Sequence, residues 1–124
     1  MKFCAEGSKP SGHYSPAVIS RGMVYVSGQT SADPETGKPA EGGVGAETTM
    51  ALRKVEKVLK AAGCAKENIV ACNVFTVAAE DWAEVNKAYA AFFEGHKPAR
   101  TIAPIRELNH GCRVEINVIA ELPE

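Results

Sequence analysis

Two charged residues, Arg100 and Glu115, have the types and settings that chemistry on a small carboxylic acid would need. Arg100 follows Pro98 at the start of an extended segment, and its planar guanidinium can bind a carboxylate through two parallel hydrogen bonds. Glu115 lies between Val114 and Ile116 in a run that alternates apolar and polar residues. A carboxylate in such a partly buried strand can activate water or transfer protons.

Each of these residues also has an ordinary structural interpretation. Exposed arginines are common at strand edges, and among arginines taken at random that interpretation of Arg100 is the more frequent one. A cross-strand ion pair with a lysine or arginine explains the position of Glu115 about as well as a catalytic role does. Neither residue identifies a function by itself.

Three further polar residues could line a ligand site. Tyr14 lies in a glycine-rich loop and could reach a ligand with its hydroxyl, although such tyrosines more often pin a loop to the core. Ser27 could donate a hydrogen bond, but it lacks the Gly-x-Ser-x-Gly context of a hydrolase nucleophile. Asn86 could face solvent or cap a neighbouring loop. Taken singly, these signals are weak.

The composition predicts one globular domain spanning residues 1–124, because 45% hydrophobic and 23% charged residues are typical of that class. A formal charge of -1 provides no basic field that would attract nucleic acid. The four cysteines and three histidines lack the spacing of metal ligands, and the cysteines are expected to be free thiols. With neither a signal-peptide pattern nor a membrane-spanning run, we expect a cytoplasmic protein without a membrane partner.

The segments that must position the candidate residues follow from the hydrophobic pattern. We expect a short strand around Phe3, a loop over residues 8–16, strands at 17–20 and 23–27, a helix at 46–62, a strand at 69–77, a helix at 81–93, a strand starting near Arg100 and a strand at 113–120. Asp81 and Glu84 have the spacing of a capping box, and Gly63 and Gly95 are expected to end the two helices.

This order of segments predicts an α+β fold with both helices packed on one face of the sheet. The strand at 69–77 is almost wholly apolar, which favours a central strand covered on both faces. Without a partner, Arg113, Glu115, Asn117 and the apolar Ile119 would lie on an uncovered face. We therefore expect a partner subunit on that face.

Taken together, the motifs resemble those of the RidA family, also called YjgF, of reactive imine and enamine deaminases. The resemblance covers nearly the whole chain. The matching motifs are Gly12-His13-Tyr14-Ser15-Pro16-Ala17-Val18, Val26-Ser27-Gly28-Gln29, Asp33-Pro34-Glu35-Thr36-Gly37, Ala61-Ala62-Gly63, Val85-Asn86-Lys87-Ala88-Tyr89, Pro98-Ala99-Arg100-Thr101 and Val114-Glu115-Ile116. Several ordered motifs at compatible spacings are far more specific than any one of them.

The resemblance implies a chorismate-mutase-like α+β fold and a homotrimer with three ligand clefts between neighbouring subunits. It implies that Arg100 binds the substrate carboxylate and that Glu115 positions or activates water. The other cleft positions that it implies are Tyr14, Ser27, Gly28, Asn86 and Ile102. At Gly28 and Ile102 the implied contribution comes from main-chain groups, and the role of Asn86 is the least defined.

The implied reaction is hydrolysis of 2-aminoacrylate-type enamines and their 2-imino acid tautomers to 2-keto acids and ammonia, which protects pyridoxal-phosphate enzymes. It requires neither a metal nor a cofactor. The alternative is a noncatalytic trimer that binds a small keto or amino acid as a sensor or as a partner of a metabolic enzyme. Ile102 replaces a cysteine common in the family, and His13 replaces a proline, so the pocket is expected to differ at both positions.

Overall fold

The computed structural model describes residues 1–4 and 12–124, so the predicted loop over residues 8–16 lies partly outside the described residues. The strands and helices, in chain order, are β1 (Lys2–Cys4), β2 (Ala17–Ser20), β3 (Met23–Thr30), α1 (Val44–Ala61), β4 (Ile69–Thr76), α2 (Trp82–Phe93), β5 (Ala99–Pro104) and β6 (Val114–Glu121). The predicted order of strands and helices is confirmed. The α+β prediction is confirmed as one sheet combined with two helices.

The six strands form one sheet in the order β1-β2-β3-β6-β4-β5. Neighbouring strands are antiparallel except β4 and β5, which run parallel as expected for strands joined through a helix. The C-terminal strand β6 therefore lies inside the sheet, between β3 and β4, whereas β5 forms an edge. Glu115 is consequently in the sheet interior, and Arg100 is at its border.

The hydrophobic core lies between the sheet and the two helices. The alternation predicted for β6 is confirmed, because every second side chain is buried against α1 and α2. The buried residues of β6 are Val114, Ile116, Val118 and Ala120. The helices contribute Leu52, Val55, Val58 and Leu59 from α1 and Val85, Tyr89 and Phe93 from α2. The side chains between those of β6, including Glu115 and Asn117, point to the opposite face.

The predicted ends of α2 are wrong in two respects. Asp81 makes no capping hydrogen bond with its side chain; its Oδ1 accepts a hydrogen bond from the Arg113 guanidinium, and its buried Oδ2 has no partner among the described residues. This contact also directs the Arg113 side chain away from Glu115, although the two were expected on the same face of the sheet. At the other end, Glu94 rather than Gly95 takes the left-handed conformation after the helix, with φ 56°. The capping prediction failed because Asp81 ends the 3-10 turn Ala79–Asp81 with helical backbone angles, φ -78° and ψ -11°, whereas a capping residue has extended ones.

A buried carboxylate fixes the ends of β3 and β6 to α1. Glu47, in the first turn of α1, is only 4% exposed. Its Oε1 accepts hydrogen bonds from the Ser31 hydroxyl at 2.9 Å and from the Arg113 backbone N–H at 3.0 Å. A buried carboxylate requires such donors, and the helix N-terminus also favours its negative charge. Glu47 thus fixes the chain immediately before β6, the strand that carries Glu115.

The sheet face opposite the helices is uncovered in a single chain. A row of directly paired side chains crosses it and is largely apolar: Phe3, Val18, Tyr25, Ile119 and Ala71. Phe3 is 68% exposed and Tyr25 is 46% exposed. The prediction that the strand at 69–77 is covered on both faces is therefore wrong for the chain alone. Large exposed apolar side chains in one row are typical of a surface that contacts another protein.

Candidate functional site

Arg100 lies on the helix-covered face of β5 and points towards α2. It is paired with Cys72, a core residue of β4. Its Nη1 donates a hydrogen bond to Oδ1 of Asn86 at 2.8 Å. Its Cζ lies 4.8 Å from the ring centroid of Tyr89 and 5.7 Å from that of Trp82. Within residues 1–4 and 12–124, no carboxylate forms an ion pair with this guanidinium, so its charge is available to an anion.

Glu115 lies on the uncovered face of β6, and its carboxylate packs against Gly28. A Cβ atom added to Gly28 would lie 2.8 Å from Oε1 and 2.9 Å from Cδ of Glu115. Gly28 does not have a positive φ, so a larger residue here would not strain the backbone but would displace the Glu115 side chain. The backbone of β3 and the Glu115 carboxylate are thereby held in direct contact.

Ser27 and Gly28 form an irregularity in β3, where the pairing register with β6 shifts. Such bulges reorient side chains and often lie beside functional sites. The Ser27 hydroxyl donates a hydrogen bond to the backbone oxygen of Ser15 at 2.7 Å, which ties the loop carrying Tyr14 to β3. Its proton is thus already used, and the Ser27 oxygen is available to a ligand only as an acceptor.

Three predicted site residues, Tyr14, Gly28 and Glu115, line one groove of ≈ 1120 Å³. The groove extends past the turn at residues 33–37 to Lys54 on α1. Burial lowers the pKa of Lys54, and its ammonium donates a hydrogen bond to the backbone oxygen of Ala32 at 2.8 Å. The predicted water-activating carboxylate and the predicted cleft tyrosine therefore border the same groove.

Arg100 and Glu115 lie on opposite faces of the sheet. Arg100 is paired with Cys72, whereas Glu115 is paired with Phe75. Paired residues share a face, and two β4 residues three positions apart point to opposite faces. A single chain consequently does not bring the predicted carboxylate-binding group to the predicted water-activating group.

The chain matches the family model described as Endoribonuclease L-PSP over residues 5–122. It belongs to this family, the L-PSP or RidA/YjgF family. The predicted membership is confirmed. A relative from Rattus norvegicus, named 2-iminobutanoate/2-iminopropanoate deaminase, is 40% identical over 109 residues, which cover 88% of this chain and 80% of the relative.

Two solved structures show how closely this chain follows a known fold. E. coli TdcF with bound serine has a TM-score of 0.90 and 28% identity, and the match covers 99% of this chain and 100% of TdcF. The YjgF gene product from E. coli has a TM-score of 0.87 and 32% identity, with 98% of each chain covered. The arrangement of one sheet and two helices described above is thus shared along the whole chain.

His13 and Ile102, the two positions expected to differ from the common family pattern, lie in different surroundings. Ile102 is paired with Val74 and packs against the hydrophobic core on the same face as Arg100. His13 is exposed and directly precedes Tyr14 in the loop beside β3. Ile102 therefore borders the Arg100 half of the site, and His13 borders the Glu115 half.

The structure also identifies neighbours of Arg100 that the sequence analysis did not include among the site residues. Trp82 and Tyr89 contact its guanidinium, and with Asn86 they occupy one side of α2. Their spacing of four and three residues is that of a single helix face, which is the signal that could have identified them. The contact with Arg100 also gives Asn86 a definite position in the site.

Two ionisable groups beside Arg100 are neutral near physiological pH. Burial raises the pKa of Tyr89 well above its ordinary value, and the neighbouring Cys72 adds to that rise. Burial likewise raises the pKa of Cys72. Neither group supplies a negative charge to Arg100, which strengthens the case that the guanidinium is reserved for an external anion.

A membrane-spanning helix and a metal-binding cluster were also sought in the part of the chain that the structure describes. Neither helix there combines the length and the apolar character needed to cross a lipid bilayer. Likewise, residues 1–4 and 12–124 contain no cluster of three or more histidine, cysteine, aspartate or glutamate side chains able to hold a metal ion.

Proposed function

We propose that this protein is a deaminase that hydrolyses small 2-imino acids and their enamine tautomers to 2-keto acids and ammonia. The observation that carries the proposal is Arg100: a half-buried guanidinium fixed against α2 that, among the described residues, has no carboxylate partner. Such a group is suited to a planar carboxylate. The deaminase name of the 40% identical rat relative supports the same chemistry.

The proposed active form is a homotrimer of single-domain subunits with the chorismate-mutase-like arrangement. The opposite placement of Arg100 and Glu115 supports this assembly, because a cleft that contains both groups requires two chains. In each cleft one subunit would contribute Arg100 and Asn86, and its neighbour would contribute Glu115 and Tyr14. The exposed apolar row through Tyr25 supplies a surface for the contact.

The proposed reaction begins when Arg100 binds the substrate carboxylate, which fixes the position of C2. A water molecule held by Glu115 attacks C2, and Glu115 accepts one of its protons. As the C–O bond forms, the π electrons of the C=N bond move to nitrogen, which takes the proton from Glu115 and gives a neutral carbinolamine. Glu115 then accepts the hydroxyl proton and passes it to the amino group, so that the C=O bond forms as the C–N bond breaks and ammonia leaves the keto acid with the Glu115 carboxylate regenerated.

The remaining cleft residues would orient the substrate. In the proposed cleft, main-chain groups at Gly28 and Ile102 complete the hydrogen bonding, and the Tyr14 hydroxyl closes one side. Ser27 acts mainly by holding the Tyr14 loop against β3, since its hydroxyl donates to Ser15. These roles need no metal or cofactor, because the imine carbon is already electrophilic.

The test uses the purified chain with 2-aminoacrylate generated in place by a pyridoxal-phosphate dehydratase. We expect ammonia release faster than the uncatalysed hydrolysis measured in the same buffer, and imines from several amino acids reveal the side-chain preference. Rates equal to the uncatalysed ones for every imine would contradict the proposal. If the protein then still bound 2-oxobutanoate, the noncatalytic ligand-binding trimer would be the better interpretation.

Nucleic acid is not the partner we propose, although the family description names a ribonuclease. Binding to RNA depends on neutralising phosphates with a basic surface. The chain has 14 Lys and Arg residues against 15 Asp and Glu residues, which leaves a formal charge of -1. A small carboxylic acid fits a single fixed arginine better than a nucleic acid strand does.

Placing a charge on the exposed apolar row is expected to dissociate the proposed trimer. In the Tyr25→Glu variant a carboxylate would replace a ring that is 46% exposed in the single chain. Burying that charge without a partner is unfavourable, so we expect monomers at micromolar concentration and loss of deaminase activity. Light scattering after gel filtration measures the mass. The control is the Arg53→Glu variant, changed on the exposed side of α1, which should remain trimeric. A wild type that is itself monomeric would contradict the proposed assembly.

A further inference from the structure

The side of α2 that faces β5 forms a cradle for the Arg100 guanidinium, made of Trp82, Asn86 and Tyr89. Asn86 accepts one hydrogen bond from Nη1, at 2.8 Å. The two rings lie 5.7 Å and 4.8 Å from Cζ, Trp82 being the farther. A single hydrogen bond leaves the guanidinium free to rotate about that contact, so a ring must fix the orientation of its plane.

Tyr89 is the ring better suited to that task. It is 7% exposed, whereas Trp82 is 45% exposed. The Tyr89 ring also packs against Phe93, with ring centroids 4.6 Å apart, so the core fixes its orientation. A cation over an aromatic ring is held more strongly when both are shielded from water. Tyr89 thus offers Arg100 a rigid and largely dry surface.

The Tyr89 hydroxyl does not explain the contact. It is buried and makes no hydrogen bond of good geometry with a described residue, although the Cys72 thiol lies beside it. Burial raises the pKa of Tyr89, so the phenol stays neutral and cannot form an ion pair with Arg100. The ring face is what the guanidinium contacts, and the ring should be sufficient without the hydroxyl.

We propose that Tyr89 is a positioning residue that orients the Arg100 guanidinium for two-point binding of the substrate carboxylate. The inference rests on the proposed function. Because Tyr89 acts on the guanidinium and not on the water-activating Glu115, its loss should weaken binding of substrate and product much more than it slows the chemical step.

The experiment compares Tyr89→Phe, Tyr89→Leu and the control Val24→Ala, which removes buried volume from β3, separated from β5 by two strands of the sheet. Tyr89→Phe should match the wild type. Tyr89→Leu should raise both the KM and the calorimetric Kd for 2-oxobutanoate by about fivefold to thirtyfold, with kcat changed less than about threefold. Val24→Ala should lower the melting temperature without changing the Kd.

An independent measurement follows the Arg100 side chain by NMR. A proton held over a ring face is shifted upfield, and we expect this shift for the Arg100 Nε–H signal in the wild type and in Tyr89→Phe but not in Tyr89→Leu. An unchanged signal and an unchanged Kd in Tyr89→Leu would overturn the role of Tyr89 but would leave the proposed function standing. A wild type that neither binds 2-oxobutanoate nor releases ammonia would instead overturn the proposed function and, with it, the substrate role of Tyr89.

Discussion

The Arg100→Ala variant is expected to lose about 10²–10⁴-fold in kcat/KM for 2-iminobutanoate, because it removes the two proposed charge-assisted hydrogen bonds to the carboxylate, worth about 1.5–3 kcal/mol each. The guanidinium is already fixed by Asn86 and by two aromatic rings, so little freedom is lost when it binds a carboxylate. Steady-state ammonia release, with the imine generated in place, measures the change. Calorimetry should show a parallel loss of affinity for 2-oxobutanoate.

The Arg100→Lys variant separates charge from geometry. Lysine keeps the positive charge but lacks the planar fork that matches a carboxylate, so it should recover only a small part of the activity. Arg53→Ala, on the exposed side of α1, is the matched control and should behave as the wild type. Full activity of Arg100→Ala would show that the carboxylate binds elsewhere.

The second large effect concerns Glu115. Replacing its carboxylate with the amide in Glu115→Gln keeps the size of the side chain and its fit against Gly28 but removes the proton acceptor. We expect kcat to fall by about 10²–10⁴-fold, the usual contribution of general acid–base catalysis. The Kd for 2-oxobutanoate should change by less than about threefold, since Arg100 rather than Glu115 would hold the carboxylate.

The control for this variant is Glu121→Gln, at the exposed end of the same strand. It should leave kcat unchanged. If Glu115→Gln lowered affinity as strongly as it lowered kcat, Glu115 would be a binding group, and the assignment of the water-activating role would be wrong. The two proposed halves of the cleft are therefore distinguished by their kinetics: loss of Glu115 should lower kcat, and loss of Arg100 should lower the affinity for the carboxylate.

Much of the fold could be predicted from local pattern. The alternation in β6 fixed which residues face the core, and the positions of α1 and α2 followed from their apolar spacing and the glycine after α1. These signals are local, because each depends only on residues close in sequence: one or two helical turns for a helix, and a few residues for a strand. The uncovered face with Glu115 and Asn117 was predicted for the same reason.

Other parts of the site depend on contacts between distant segments. Arg100 is on the edge strand β5, and its face is set by the parallel pairing with Cys72, which no local pattern reveals. Asp81 has the sequence of a helix cap, yet Arg113 takes its carboxylate. The contact between Gly28 and Glu115 likewise joins residues far apart in the chain. Such features become visible only when the strand order is known.

The placement of Arg100 and Glu115 on opposite faces has a genetic consequence. If each cleft takes one group from each of two neighbours, an inactive Arg100→Ala chain and an inactive Glu115→Gln chain carry intact halves that complement each other. In a mixed ring about one cleft in three would combine the two intact halves, so coexpression would restore activity that neither allele has alone. Alleles defective in the same half would not rescue each other.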